Sequence, residues 1–226
     1  MNRQSQSITG FVLAGGASRR MGCPKALLML GGETMIERQL RVLRSVTQRA
    51  LVAGWPSDLP WPARIETLTG VRRLPDAQAG RGPLGGIYTA LTHSRSEFNL
   101  FLGCDMPFVE PALLHFLCGR ALECGADVTV PKSHQRRLEP LCAIYRRRAL
   151  PTISASLKAG EYKVSRFFTR IQCEVIPWRE IAKAGFPTQV FDNMNLAEDF
   201  EEAKKFLSRS RPQKRPSGQL KNRRRD

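Results

Sequence analysis

Apolar runs of strand length alternate with segments of helical period along most of the chain, and this alternation limits the folds open to it. "ITGFVLA" is followed by "ETMIERQLRVLRSV" and "ALVAG"; then come "GPLGGIYTALTH", "FNLFLGCD", "PALLHFLCGRALECG" and "ADVTVP". Consecutive parallel strands need a crossover connection, usually a helix, and such helices cover both faces of the sheet. The predicted class is therefore α/β, a three-layer sandwich around a mainly parallel sheet. "EPLCAIYRR" and "CEVIPW" read as further strands, while "RALPTISASLKAG" and "YKVSRFFTRI" read as helical. The last folded element is "NLAEDFEEAKKFL", with Phe200, Ala203, Phe206 and Leu207 on one helical face. Between Trp55 and Thr69 three prolines interrupt any period, which predicts a loop with one short strand.

At 226 residues, 42% of them hydrophobic, the chain suits one large domain, here residues 1–207. The formal charge of +16 suggests nucleic acid until it is mapped. Residues 208–226, "SRSRPQKRPSGQLKNRRRD", hold eight Lys/Arg and one acidic residue, with two prolines and hardly an apolar side chain. Such a segment is expected to be a disordered, solvated tail, and a nucleic-acid or membrane-surface role would rest on it alone. The excess positive charge elsewhere suits polyanionic ligands. No stretch approaches the roughly 20 apolar residues of a membrane span, and "MNRQSQSITG" lacks the apolar centre of a signal peptide, so a cytoplasmic location without membrane association is expected. Six cysteines without a C-x-x-C pair read as reduced thiols, mostly in the core, and the three histidines show no pattern.

Ligands of open parallel sheets bind at the carboxyl ends of the strands. "VLAGGASRRMGCPKALL" places a turn there: Leu13 and Ala14 close the first strand, and Gly15 and Gly16 let backbone amides approach a phosphate. Ser18, Arg19, Arg20 and Lys25 surround that turn with donors and positive charge. On the glycines alone an ordinary strand–helix turn is the better reading, because Gly-Gly turns are common, and neither G-x-x-x-x-G-K-[ST] nor G-x-G-x-x-G is present. Asp105, ending the apolar strand "NLFLGCD", lies at the same rim. Pro107 and Glu110 are better placed than Asp105 to start the next helix, whereas one carboxylate beside phosphate oxygens suits Mg²⁺. Asp76, in "LPDAQAGRGPLGG", either contacts a base or ribose or starts a turn.

Taken in order, "LAGGASRRMGCPKALL", "PDAQAGRGPLGGIYTAL", "LGCDMPF", "EPLCAIYRR" and "FDNMNLAEDFEEA" resemble the molybdenum cofactor guanylyltransferases of the MobA type, within the nucleotidyltransferase superfamily. The resemblance spans about Ile8 to Leu207, and its specificity lies in five blocks standing in sequence. It implies a Rossmann-like nucleotidyltransferase fold with a mixed sheet. It also implies transfer of GMP from GTP to the terminal phosphate of molybdopterin or Mo-molybdopterin, with release of pyrophosphate and with Mg²⁺ as cofactor. Leu13, Ala14, Gly15 and Gly16 match the nucleotide loop, and Arg20 and Lys25 match the triphosphate contacts. Asp76 matches a guanosine-binding aspartate, Gly82 and Pro83 the loop beside it, and Asp105 the magnesium ligand. Lys25, Arg20 and Asp105 are thus the catalytic candidates, and Asn193 and Asn195 match paired asparagines near the acceptor pocket.

The family pattern Asn-x-Asn-Thr-Pro-Glu-Asp is altered here, because Leu196-Ala197 stand in place of Thr-Pro. That change alters either helix capping or acceptor choice. Molybdoenzymes or cofactor chaperones are the protein partners that the resemblance implies. The alternatives are a nucleotidyltransferase using CTP or a sugar phosphate, and a non-catalytic module for cofactor delivery. Leu-Ala-Gly-Gly at 13–16 resembles guanine-selective members of the family, and this resemblance with the short chain favours GTP over the former; the set Arg20, Lys25 and Asp105 disfavours the latter, since a pure binder has no need of a metal-ligating carboxylate.

Overall fold

The computed structural model describes residues 8–15, 24–57, 59–68, 71–74 and 80–210. The chain opens with β1 (Ile8–Leu13), a short hairpin of β2 (Met29–Leu30) and β3 (Glu33–Thr34), α1 (Met35–Arg44) and β4 (Arg49–Ala53). A single-turn α2 (Ala63–Glu66), β5 (Val71–Arg73), α3 (Gly82–His93), β6 (Phe98–Gly103) and α4 (Pro111–Cys124) follow. The remainder comprises β7 (Val128–Pro131), β8 (Cys142–Arg146), α5 (Leu150–Lys158), β9 (Cys173–Ile176), α6 (Trp178–Lys183) and α7 (Ala197–Ser210).

Among the described residues, seven strands form one sheet in the order β5-β4-β1-β6-β8-β7-β9. All neighbours are parallel except β8, which runs antiparallel to both β6 and β7. The expected mainly parallel, mixed sheet is present. The chain moves outward from β1 through β4 to β5, then returns to the other side of β1 with β6. The carboxyl ends of β1 and β6 therefore flank a topological switch point, where Leu13 pairs with Gly103.

Helices cover both faces. The core under α1, α4 and α7 gathers Ile36, Leu40, Leu43, Leu113, Leu117, Phe200 and Ala203 against Val12, Leu100 and Leu102. The core under α3 and α5 gathers Leu84, Ile87, Leu91, Ile153 and Leu157 against Phe11, Phe101 and Tyr145. Alternation along β6 sends Leu100 and Leu102 to one face and Phe101 to the other, as the period of a strand requires. Phe11 stacks on Phe101 at 5.2 Å, and Phe101 meets Tyr145 edge-on at 5.2 Å, so aromatic contact joins the antiparallel β8 to the parallel pair β6 and β1. The Tyr145 hydroxyl donates to the carbonyl of Pro140 (2.8 Å), which satisfies the one polar atom of this buried side chain.

Helix α1 starts in a reciprocal cap. The Glu37 amide donates to Thr34 Oγ1 (3.3 Å), and the Thr34 amide donates to Glu37 Oε2 (2.7 Å). Where the prolines at 56, 60 and 62 predict a loop with a short strand, the chain instead makes the single-turn α2, because Pro62 suits the residue entering a helical turn. "YKVSRFFTRI" contains a 3₁₀ segment, Val164–Arg170, that buries Phe167 and Phe168. Helix α7 runs to Ser210, three residues into the predicted tail; residues 211–226 lie outside the described ones. Phe206 meets Phe108 edge-on and is only partly covered. The five described cysteines are unpaired, and no described helix is long and apolar enough to cross a membrane.

Candidate active site

Backbone hydrogen bonds bring four strand ends to one rim. The Ala14 amide donates to the Ala53 carbonyl (3.0 Å), Cys104 to Leu13 (3.1 Å) and Gly103 to Leu141 (2.7 Å). A cavity of about 150 Å³ opens there, lined by Leu13, Ala14, Gly15, Lys25, Gly54, Gly82, Pro83, Gly86, Cys104 and Asp105. Its floor requires two glycines. Gly54 has φ +75°, and a Cβ built on it would lie 3.1 Å from both the nitrogen and the Cα of Gly15. Gly54→Ala is therefore expected to cost roughly 2–4 kcal/mol, from left-handed strain plus backbone overpacking. A lowered denaturant midpoint would check this, and an unchanged midpoint would remove the floor argument. The amino end of α3, at Gly82 and Pro83, also faces the cavity, so its amide groups and dipole favour an anion there.

Asp105 leaves β6 beside this cavity. Its own carbonyl accepts from the Met194 amide (2.8 Å), while the carbonyls of Met106 and Pro107 accept from Gln39 Nε2 and Arg38 Nε (both 2.8 Å). Helix α4 begins later, after Glu110, so Asp105 does not cap it. Burial holds the Asp105 carboxyl above the ordinary carboxylate range, although the nearby Lys25 ammonium pulls it down. Lys25 Nζ is 3.7 Å from Asp105 Oδ2 and donates to Asn195 Oδ1 (2.9 Å). Among the described residues no group of three or more His, Cys, Asp or Glu could hold a metal. A hard cation at Asp105 would have to complete its shell with ligand oxygens and water, as Mg²⁺ at a nucleotide characteristically does. Cys104 lines the same cavity, but burial and then the Asp105 charge push its thiol up, so it is no nucleophile.

A second cavity, about 730 Å³, opens beyond Asn195. The β7–β8 connection supplies Ser133, His134, Arg137 and Glu139, and the approach to α7 supplies Asp192, Asn193, Met194 and Asn195. Arg136 turns that connection with φ +61°, and the Ser133 amide donates to the Arg137 carbonyl (2.8 Å). Burial raises the Glu139 carboxyl, offset by Ser133 and Arg137 and reinforced by Asp105 and Asp192. At the start of α7, Asp199 Oδ2 accepts from the amides of Asn195 (2.7 Å) and Leu196 (2.8 Å). A third-position side chain thus reaches back to the helix entrance, which supplies the capping that Leu196 cannot give.

The structure brings Leu13, Ala14, Gly15, Lys25, Gly82 and Asp105 to the first cavity, and Asn193 and Asn195 to the second. Gly16, Ser18, Arg19, Arg20 and Asp76 lie outside the described residues. Gly54 and Glu139 escaped the reading of the sequence. Gly54 ends the strand "LVAG", and a glycine at the carboxyl end of a parallel strand is the signal that could have found it.

Residues 10–174 match the model of the MobA-like NTP transferase domain. A Desulfosudis oleivorans protein named molybdenum cofactor guanylyltransferase is 33% identical over 208 residues, covering 91% of this chain and 98% of that one. The Pelotomaculum thermopropionicum "Probable molybdenum cofactor guanylyltransferase" is 34% identical over 203 residues, covering 90% and 95%. Among solved structures, molybdopterin-guanine dinucleotide biosynthesis protein A from Archaeoglobus fulgidus superposes with a TM-score of 0.75 at 26% identity, covering 89% of this chain and 99% of that one. The 2-C-methyl-D-erythritol 4-phosphate cytidylyltransferase of Thermus thermophilus shares the fold, with a TM-score of 0.66 at 16% identity over 89% of this chain and 99% of its own.

Proposed function

Because the chain belongs to the MobA-like NTP transferase family, we propose that its two cavities receive GTP and a molybdopterin acceptor and that it makes the guanine dinucleotide form of the molybdenum cofactor. It is a nucleotidyltransferase that transfers GMP. The observation that carries the site assignment is the Lys25–Asn195 hydrogen bond, which joins a basic, glycine-floored cavity to a larger polar one beside Asp105.

In the proposed reaction a terminal phosphate oxygen of the acceptor attacks the α-phosphorus of GTP. A P–O bond forms to the acceptor as the bond to the β-phosphate oxygen breaks, and pyrophosphate leaves. The attacking phosphate is already ionised at neutral pH, so the protein needs no general base. Its task is positioning and charge complementarity. Gly15 and Gly54 keep the cavity floor free of Cβ atoms, and the start of α3 and Lys25 present positive charge to the phosphates. Asp105 is the residue that would hold Mg²⁺, which when bound supplies Lewis-acid neutralisation of phosphate charge. Arg20 at the triphosphate and Asp76 at the guanosine complete the proposed set by family resemblance. Transfer of the product to a molybdoenzyme or a cofactor chaperone would follow.

The nucleotide assignment is tested by offering molybdopterin with equimolar GTP and CTP and identifying the product by mass spectrometry. A guanine dinucleotide supports the assignment, whereas a cytosine dinucleotide keeps the chemistry and overturns the base. On the acceptor side, Asn193→Ala is expected to raise the acceptor KM severalfold while leaving GTP affinity near wild type. A lost GTP affinity would instead move that residue to the nucleotide side.

A further inference from the structure

The reading of the sequence places Asn195 with the acceptor, but its side chain is committed elsewhere. Asn195 Oδ1 accepts from Lys25 Nζ (2.9 Å) across a sequence separation of 170 residues. The same ammonium stands 3.7 Å from Asp105 Oδ2, and its side chain is only 21% exposed. The preceding residue, Met194, is buried and donates its amide to the Asp105 carbonyl (2.8 Å). Two adjacent residues of the acceptor wall therefore bond to the nucleotide cavity, Asn195 through the Lys25 ammonium and Met194 through the Asp105 backbone. Their backbone is itself anchored, because Asp199 Oδ2 accepts from the Asn195 and Leu196 amides.

We propose that Asn195 is a positioning residue for Lys25: held by Asp199, its side-chain carbonyl fixes the lysine ammonium beside Asp105 and thereby links acceptor wall and nucleotide cavity. The inference rests on the assignment of GTP to the Lys25 cavity. A lysine has a long, flexible stem and a compact charge, so an unanchored ammonium must be ordered when a phosphate arrives. The Asn195 amide carbonyl does that ordering beforehand without adding charge. It follows that Asn195 acts on GTP affinity before any acceptor is present. By reciprocity, a ligand that shifts the Asn195 backbone changes GTP affinity, and GTP changes that ligand's affinity by the same factor.

The test is a double-mutant cycle on the full chain, reading GTP affinity in the presence of Mg²⁺ and absence of acceptor, by competition with a fluorescent GTP analogue. Asn195→Ala is expected to weaken GTP binding roughly tenfold, the cost of ordering one long side chain on binding. In a Lys25→Ala background the same substitution is expected to change affinity by less than about twofold, because the group through which Asn195 acts is gone. Asn195 is exposed, so Asn195→Ala should retain the wild-type thermal midpoint and the double variant that of Lys25→Ala. An unchanged affinity in Asn195→Ala, or an equal loss in both backgrounds, overturns the proposal while leaving the nucleotide site intact. Wild-type protein that fails to bind GTP overturns the nucleotide assignment itself, and this inference with it.

Discussion

Replacing Asp105 with asparagine is expected to lower turnover at least a hundredfold, about 3 kcal/mol of barrier, while the protein stays folded. The side chain keeps its shape and loses the charge that would hold a divalent cation and set the Lys25 ammonium in place. The same variant is expected to be more stable than wild type at neutral pH without ligands. Burial raises the Asp105 carboxyl despite Lys25, so its ionised form costs stability in the folded state. That cost is largest above the raised value and vanishes as pH falls below the ordinary carboxylate range, where both states are protonated. The gap in denaturation midpoint between variant and wild type should therefore close on acidification. A near-normal rate would remove Asp105 from the catalytic set, and a pH-independent gap would refute the burial argument.

Lys25→Ala should be equally damaging to turnover, by two orders of magnitude or more, and should weaken GTP binding as well. The ammonium faces the cavity in which the leaving pyrophosphate would form, where charge builds as the α–β linkage breaks. Its effect on the unliganded protein should be opposite to that of Asp105→Asn. Lys25 lowers the Asp105 carboxyl, so its loss leaves a buried carboxylate with less compensation and a lower midpoint at neutral pH. The two variants together separate catalytic from structural effects: both inactive, one more stable and one less. Wild-type-like turnover in folded Lys25→Ala would sink the assignment of the positive charge.

The parts of this molecule that were legible from the chain alone are those governed by local pattern. "ITGFVL" and "FNLFLG" announce buried parallel strands, and Gly15 and Asp105 at their ends lie where such sheets bind ligands. What was not legible depends on tertiary placement. No local signal makes β8 return antiparallel between β6 and β7, yet this insertion carries the β7–β8 connection, with Glu139, to the second cavity. Gly54 looks like any strand-end glycine until its contact with Gly15 is seen. The Leu196-Ala197 departure removes a familiar cap, but Asp199 supplies another, so the helix start survives the change. Asn195 matched an acceptor motif in sequence, whereas in space its carbonyl meets Lys25.

Attack on the α-phosphorus of GTP by an acceptor phosphate determines which phosphate species leaves the protein. The most direct test is the identity of the phosphate product released by the full chain with GTP, Mg²⁺ and molybdopterin. Pyrophosphate is expected, stoichiometric with guanine dinucleotide and dependent on both acceptor and metal. Release of orthophosphate, or of pyrophosphate without acceptor, would contradict it.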